Sequence, residues 1–221
     1  MSAASRVAMI IGDPQVHPLS LGLRERQKLE RRRRIEDAAR RVFAAKGYDG
    51  ATTREIAEVA AVSIGTLFAY AADKQELLAM VYRDSLRDLT ETTFAKRRVD
   101  RAVVDQLIGI FKPRYAFWGK DVALARHAAR ETIATSYTAG APPAQQPESL
   151  LSVKLVDLVR ANQDAGRLRR DDDAKLIARV ILDIYLSENR AWLALERPVV
   201  ASGIARLRAA LAFALRAAIN D

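Results

Sequence analysis

Residues 52–74, TTREIAEVAAVSIGTLFAYAADK, decide how the whole chain is interpreted, because they predict two short helices in close succession. Thr52 precedes Glu55 by three positions, which is the spacing of a capping box at the start of a helix. Ser63 is a favourable N-cap for a second helix, which we predict over residues 64–71. Two short helices joined by a tight turn form the motif that places its second helix in the major groove of DNA. Any tight helical corner would give the same pattern, so the neighbouring residues must separate the two interpretations.

The residues just upstream, KLERRRRIEDAARRVFAAKGYDGA (28–51), have the pattern of an amphipathic helix with a basic N-terminal entry. Gly47 is placed to end this helix in the left-handed conformation, which glycine adopts without a steric penalty. Together with the two helices that follow, the segment predicts a three-helix bundle. The apolar face of the first helix carries Ile35, Ala39, Val42 and Phe43.

At these residues the sequence resembles the TetR family of transcriptional regulators. The resemblance is carried by FAAKGYDGATTREIA (43–57) and by AVSIGTLFAYAADKQELL (61–78). It implies an all-α homodimer in which an N-terminal helix-turn-helix domain binds an operator in double-stranded DNA. It also implies that a larger C-terminal helical domain dimerises and usually holds a small-molecule inducer. We therefore expect about nine helices in three parts, namely a flexible tail (1–23), a helix-turn-helix DNA-binding domain (24–72) and a ligand-binding and dimerisation domain (73–221).

The charge distribution agrees with a polyanionic partner. The 221 residues carry a formal net charge of +9, and residues 1–46 hold eleven Lys or Arg against five Asp or Glu. A basic excess next to a helix-turn-helix suits DNA better than a generally basic surface would. Hydrophobic residues make up 50% and aromatic residues only 6%, which favours helices over sheets. The chain has no cysteine, so disulfides and thiolate metal sites are excluded.

The basic entry to the first helix predicts contacts with the DNA backbone. Arginines at the start of a DNA-facing helix bind phosphates or enter the minor groove. The alternative is a solvated charged face, which is the usual fate of such a run. The residues concerned are Arg24, Arg26, Lys28, Arg31, Arg32, Arg33 and Arg34.

The helix-turn-helix itself carries the candidates for reading DNA sequence. By resemblance Arg54 is a base-edge candidate, since the arginine fork suits guanine. Thr52 and Thr53 lie at a helix N-terminus, where hydroxyl and N–H groups can hold a phosphate. The predicted recognition helix has no charged residue, and its apolar and hydroxyl groups suit thymine methyls. Its candidate contacts are Ser63, Ile64, Gly65, Thr66, Phe68 and Tyr70.

Three positions within and after this helix are interpreted through the resemblance. Lys74 matches the family lysine that holds a phosphate beyond the recognition helix. Phe68 stands where the family commonly has tyrosine, and Ala72 where it commonly has a basic residue, so two backbone contacts are missing. Asp73 begins a long helix that we expect to run to about residue 98. In the family its tilt sets the separation of the two recognition helices, which must match one DNA turn of about 34 Å.

The last two predicted helices, at about 173–195 and 201–219, are apolar over more than one face. We expect them to form a four-helix bundle with a second subunit across a two-fold axis. The alternative is burial within one subunit. The candidate interface residues are Leu176, Val180, Ile184, Trp192, Ile204, Leu207, Leu211 and Leu215.

A set of aromatic and polar residues in the C-terminal part predicts a ligand pocket, which should be mostly apolar with a few polar anchors. This composition favours a hydrophobic or aromatic ligand, and plain core packing is the alternative for each residue. His127 and Glu131 are four positions apart, and we expect a hydrogen bond between them rather than a metal site. The candidates are Phe94, Phe111, Tyr115, Trp118, His127, Glu131, Tyr137, Tyr185 and Asn189.

These observations favour a transcriptional repressor that a small molecule releases from a palindromic operator. The alternative is a helix-turn-helix regulator without an inducer, acting constitutively or under a protein partner. The sequence has no glycine-rich phosphate loop, nucleophile elbow or zinc-binding helix motif, so we expect neither an enzyme nor a cofactor. No segment approaches the roughly 18 apolar residues of a membrane span, and we expect a cytoplasmic protein with no membrane partner.

Overall fold

The computed structural model describes residues 22–136 and 150–219, of which residues 130–136 are described by their backbone alone. Nearly all of the expected N-terminal tail, and the expected ligand residue Tyr137, lie outside these ranges. The described residues form nine helices and no strand, with an isolated bridge between Leu168 and Ile219. The all-α prediction is therefore confirmed. The helices are α1 (Leu23–Gly50), α2 (Thr53–Val59), α3 (Ile64–Phe68), α4 (Lys74–Ala95), α5 (Val103–Trp118), α6 (Val122–Ser136), α7 (Leu150–Asp164), α8 (Ala174–Ala194) and α9 (Val200–Ala214).

The N-termini of α2, α3 and α4 are capped as the sequence predicts. Thr52 Oγ1 accepts the N–H of Glu55 at 3.2 Å, and Ser63 Oγ accepts the N–H of Thr66 at 3.1 Å. At the start of α4 the carboxylate of Asp73 accepts the N–H of Glu76 at 2.7 Å. Helix α3 ends at Phe68, three residues earlier than expected, because the following residues turn back onto Leu67 O and Thr66 O.

Gly47 interrupts α1 with φ +68° and ψ −176°. The positive φ is the one that the sequence predicts, but the ψ lies outside the left-handed helical region, in a region that is essentially restricted to glycine. The chain then makes another helical turn before Ala51 instead of ending at a cap. The break directs Tyr48 inward, where it contacts α4 and α6.

One continuous apolar core joins the helix-turn-helix to the rest of the chain. Helix α1 packs against α2, α4 and α6, while α4 also packs against α5 and α7. Helix α9 approaches α5 and α8 closely at Gly203, where an added Cβ would lie 2.6 Å from the ring of Tyr115 and 2.7 Å from Trp192. The expected domain boundary at residue 72 falls between α3 and α4, within this continuous core.

The dimer prediction is wrong for half of its residues. Trp192, Leu207, Leu211 and Leu215 are buried within their own subunit, because Trp192 packs on the Tyr115 ring of α5 and because α9 packs against α5 and α8. Leu176 is 48% exposed and Val180 37% exposed, while Ile184 and Ile204 are half-buried. Of the eight candidates, these four remain available to a second subunit. Across the described ranges, no helix has the length and apolarity needed to cross a membrane.

Candidate nucleic-acid interface

Helix α3 buries one residue and exposes the side that the sequence predicts for DNA contact. Leu67 is fully buried, whereas Ile64 is 42% exposed and Phe68 45% exposed. Ser63 and Gly65 are exposed beside them, and an added Cβ at Gly65 would meet nothing within 4 Å. The result is an uncharged outer surface that another backbone can approach closely.

The polar groups on this surface are held in place. Ser63 Oγ and Thr66 Oγ1 lie 2.8 Å apart and share a hydrogen bond. On α2, Thr52 and Arg54 are exposed and Thr53 is half-buried. The exposed Arg54 is therefore accessible to a ligand.

Tyr70 fixes the basic entry beside α3. Its hydroxyl donates to the main-chain carbonyl of Lys28 at 3.3 Å, which places that turn of α1 next to the end of α3. The hydroxyl that we assigned to DNA is thus used within the protein. The interaction brings the basic entry and the recognition helix onto one side of the bundle.

The four consecutive arginines do not behave alike, because successive residues on a helix point about 100° apart. Arg31, Arg33 and Arg34 are exposed and, among the described residues, have no carboxylate within 4 Å. Arg32 instead donates through Nε to Glu36 at 2.6 Å, and its Nη2 lies 3.8 Å from Asp84. The prediction that Arg32 binds phosphate is therefore corrected to an internal ion pair.

The Glu36 carboxyl forms an unusual contact between α1 and α4. It is almost fully buried, and burial together with a hydrogen bond to Asp84 raises its pKa to about 7, despite the opposing effect of Arg32. A carboxyl group with this pKa changes charge near neutral pH. The contact connects the first helix of the bundle to the long helix α4.

Lys74 also has a structural role that the sequence did not predict. Its ammonium donates to the carbonyls of Tyr48 at 2.8 Å and Ala51 at 3.0 Å, and lies 4.5 Å from the centre of the Tyr48 ring. Two of its three donors are thus used to hold the end of α1 against the start of α4. Any contact with a phosphate has to use the third.

His127 lies against the helix-turn-helix bundle and not in an aromatic pocket. Its ring stacks on Tyr48, with the ring centres 4.2 Å apart and the planes at 16°. This corrects its assignment to the ligand site. The side chain of Glu131, its expected hydrogen-bond partner, lies outside the described residues.

Four predicted ligand residues form a packed aromatic cluster, which we define as Phe111, Tyr115, Trp118 and Tyr185. The rings of Phe111 and Tyr185 stack with centres 4.4 Å apart, and Trp118 Nε1 donates to the Tyr185 hydroxyl at 3.2 Å. Tyr115 meets Tyr185 edge-on at 6.2 Å, and burial raises the pKa of Tyr115. These residues contact one another, which agrees with the alternative of plain core packing.

Polar atoms at the border of this cluster are incompletely satisfied. Within the described ranges, the Tyr115 hydroxyl and Asn189 Oδ1 are buried without a hydrogen-bond partner. Arg114, which the sequence analysis missed, is buried and donates to Thr90 Oγ1 at 2.7 Å, but its Nε has no partner among those residues. Burying such groups costs about 1–3 kcal/mol each, so an unpaired set marks a place where a polar ligand group would be stabilising.

A cavity of about 620 Å³ lies between α4 and α5, outside the aromatic cluster. None of the nine predicted ligand residues lines it, and Phe94 is half-buried nearby on α4. Sequence reasoning missed this cavity, although the run KRRVDR (96–101) was a signal that could have found it. Its lining residues are Leu89, Thr92, Thr93, Lys96, Arg97, Arg98, Arg101, Asp105, Gln106, Gly109, Ile110 and Pro113.

Comparison with known proteins agrees with this geometry. The family model for bacterial regulatory proteins of the tetR family matches residues 35–81. The transcriptional repressor KstR of Mycobacterium tuberculosis is 29% identical over 166 residues, which cover 74% of this chain and 71% of that protein.

Two solved structures share the fold. Thermus thermophilus FadR, a TetR-family repressor crystallised with lauroyl-CoA, has a TM-score of 0.61 and 24% identity over 81% of this chain and 93% of that chain. A TetR-family regulator from Pectobacterium atrosepticum has a TM-score of 0.64 and 19% identity over 91% of this chain and 99% of that chain.

The exposed helix-turn-helix lies within the segment that matches the family model, and the relatives that the chain resembles are transcriptional repressors. Residues 35–81 thus match the tetR family of bacterial regulatory proteins, and the chain is similar to TetR-family repressors in sequence and in fold.

Proposed function

We propose that this protein is a homodimeric repressor that binds a palindromic operator and is released from it by a small hydrophobic or aromatic ligand. The observation that carries the proposal is the exposed, uncharged side of α3, held next to the basic entry of α1 by Tyr70 and Lys28. The similarity to the repressor KstR supports the direction of regulation. In this proposal residues 24–72 bind DNA, and residues 73–221 dimerise and bind the ligand.

The DNA-reading surface combines base contacts with phosphate contacts. Ile64 and Thr66 offer apolar and hydroxyl groups to thymine methyls, and Gly65 lets the backbone approach the base edges. Arg54 reads guanine, while Thr52 and Thr53 hold a neighbouring phosphate. Ser63, Phe68, Tyr70 and Lys74 make further contacts with DNA around the rim of this surface. Tyr70 does so through its ring and Lys74 through its one remaining donor, because their other polar groups are used within the protein.

The basic entry supplies binding that does not depend on sequence. Arg31, Arg33 and Arg34 are exposed and free of carboxylates within the described ranges, so each can neutralise a phosphate. Each such contact contributes about −0.9 to the slope of log affinity against log salt concentration. Binding should therefore be strongly salt-dependent.

The dimer forms through the outer side of α8. Leu176, Val180 and Ile184 follow one another at four-residue spacing, so they form a single apolar stripe on the helix. Ile204 on α9 extends this surface. Pairing two copies through the stripe removes apolar area from water and creates the two-fold axis that a palindromic operator requires.

Ligand binding reaches the DNA-binding helices through two contacts. The aromatic cluster is built on α5 and α8, and Trp118 stacks on Tyr82 of α4 at 5.1 Å. Helix α4 then meets α1 through Asp84 and Glu36, and α6 meets α1 through His127 and Tyr48. A ligand that shifts α4 or α6 changes the separation of the two α3 helices.

The test is selection of operator DNA by the full-length protein, followed by binding measurements on the selected duplex. We expect a palindrome with thymines opposite α3, and Ile64→Ala should weaken binding about tenfold or more. Val153→Ala is the matched control, because Val153 is 39% exposed on α7 and the substitution removes an apolar side chain far from α3. Failure to bind any selected duplex better than random DNA would overturn the proposal.

A further inference from the structure

We propose that the cavity between α4 and α5 binds an apolar chain that ends in a phosphate group. The regulatory role of this ligand rests on the proposed function, because it assumes that the protein is a repressor controlled by a small molecule. The cavity volume of about 620 Å³ lies within the range of small-molecule sites, roughly 300–1,000 Å³. Leu89, Ile110 and Pro113 provide its apolar wall.

Three of the four cations that line the cavity have no carboxylate in direct contact among the described residues, although Asp100 interacts electrostatically with Arg101 as well as with Arg98. Of the cations that line the cavity, Arg98 is paired with Asp100 at 2.8 Å. Lys96, Arg97 and Arg101 have no carboxylate within 4 Å among the described residues. Three unpaired cations at one opening suit a multiply charged head group better than a single carboxylate.

Asp105, the acidic residue that lines the cavity, already has an ion-pair partner. Asp105 accepts from Arg208 Nη1 at 2.6 Å. It therefore does not provide the missing partner for Lys96, Arg97 or Arg101. An anion arriving from solvent would meet a positive site without having to displace an internal ion pair.

Arg97 provides evidence for an anion site that does not depend on the number of unpaired cations. Its Nε is buried and has no hydrogen-bond partner in the described part of the chain. A solvated basic run would keep such a donor in water, because an unpaired buried donor is unfavourable. A phosphate oxygen at the cavity would satisfy it.

The neutral polar groups of the cavity are already satisfied. Thr92 and Thr93 donate their hydroxyl hydrogens to the carbonyls of Asp88 and Leu89 within α4. Gln106 donates to the carbonyl of Arg101 and to Asn162. Recognition of a ligand head is therefore left to the basic side chains.

Neither helix capping nor DNA accounts for these cations. The C-terminus of α4 carries a partial charge of about −0.5 from its peptide dipoles, which is too small to offset three cations. DNA is also too distant, because α4 has 22 residues and separates the cluster from the start of the helix at Lys74 by roughly 30 Å. The cluster is thus suited to a different anion.

Gly109 provides a way to block the cavity without damaging the fold. It lines the cavity in the middle of α5, and an added Cβ would meet nothing within 4 Å. Gly109→Leu should therefore fill the space, and replacing glycine inside a helix favours folding. Its effect on ligand binding can be separated from any loss of structure by measuring the melting temperature.

The experiment is calorimetric titration of the full-length protein, without DNA, with decyl phosphate, decanoate, decyltrimethylammonium and inorganic phosphate. We expect decyl phosphate to bind most tightly and Arg97→Gln/Arg101→Gln to weaken it tenfold or more. Gly109→Leu should abolish binding while the melting temperature is unchanged or higher. The double variant Arg160→Gln/Arg197→Gln removes the same charge elsewhere and should bind like the unaltered protein.

Several results would overturn the inference. Decanoate, decyltrimethylammonium or inorganic phosphate binding as tightly as decyl phosphate would exclude a site for a phosphate on an apolar chain. Unchanged affinity in both the arginine and the glycine variants would place the ligand elsewhere. If decyl phosphate binds here but leaves the operator complex intact, the binding site stands and its role in regulating the repressor is overturned, whereas release by a ligand at the aromatic cluster is not affected by that result.

Discussion

The imidazole of His127 on α6 lies face to face with the phenol ring of Tyr48 on α1, with the ring centres 4.2 Å apart. The Tyr48 ring also contacts the Lys74 ammonium, whose nitrogen binds the Tyr48 carbonyl at 2.8 Å. Three helices, α1, α4 and α6, thus meet at one aromatic ring. This junction couples the helix-turn-helix bundle to the C-terminal helices.

The stacked pair should contribute a measurable coupling free energy. We expect the double-mutant cycle of Tyr48→Leu and His127→Leu to give about 0.5–1.5 kcal/mol, the range for aromatic pairs. Urea unfolding of the four proteins measures it. His127→Phe is the matched control, since it keeps a ring and should retain most of the stability. Additive single-variant effects would show that the two rings are not coupled.

Stability should depend on pH through Glu36. Its pKa is raised from 4.5 to about 7 in the folded protein, so the folded state binds more protons than the unfolded state between these values. The free energy of unfolding should therefore fall as pH rises from about 4.5 to 7, by up to about 3 kcal/mol at 1.4 kcal/mol per pKa unit. Unfolding midpoints measured across this range test the effect.

Glu36→Gln should remove this component, while Glu58→Gln, at an exposed position on α2, should leave it in place. The difference between the unaltered protein and each variant isolates Glu36 from other titrating groups. Identical pH profiles for the unaltered protein and Glu36→Gln would contradict the assignment of the raised pKa to this carboxyl.

The arginines of α1 should separate into two functional groups. Replacing Arg31, Arg33 and Arg34 with Ala should weaken binding to all duplexes about equally and reduce the salt slope by about 0.9 for each phosphate that is no longer neutralised. Arg32→Ala should mainly lower the free energy of unfolding, because it leaves the buried Glu36 and Asp84 without their cation. Fluorescence anisotropy over a salt series, with thermal melts alongside, distinguishes the two. A larger change in salt slope for Arg32→Ala than for the triple variant would reverse the assignment.

Gly203 should not tolerate a side chain. A Cβ there would lie 2.6 Å from the Tyr115 ring, and overpacking of this kind costs about 1–3 kcal/mol. Gly203→Ala should therefore lower the melting temperature. Gly109→Ala is the control in another helix, and there the substitution should raise stability by about 0.5–1 kcal/mol because the space is open. Equal effects at both positions would show that helical propensity, and not packing against Tyr115, determines the outcome.

The sequence predicted the elements that depend on neighbouring residues. The caps at Thr52, Ser63 and Asp73 form as expected because each side chain bonds an N–H only three positions away. The exposed side of α3 follows from the burial of Leu67 in a short helix. The extent of α3 was overestimated, since the apolar pattern continues through a turn that is no longer helical.

What the chain determined by itself was therefore the order of its helices, the position of the helix-turn-helix and the basic entry to it, since these depend on interactions within a few residues. Tertiary structure decided which apolar residues of α8 and α9 face their own subunit, that Arg32 pairs with Glu36 and Asp84, and that His127 meets Tyr48. It also placed the basic run after α4 at a cavity with α5. These outcomes depend on contacts between distant segments, and helical periodicity shows that a face is apolar without showing which surface will cover it.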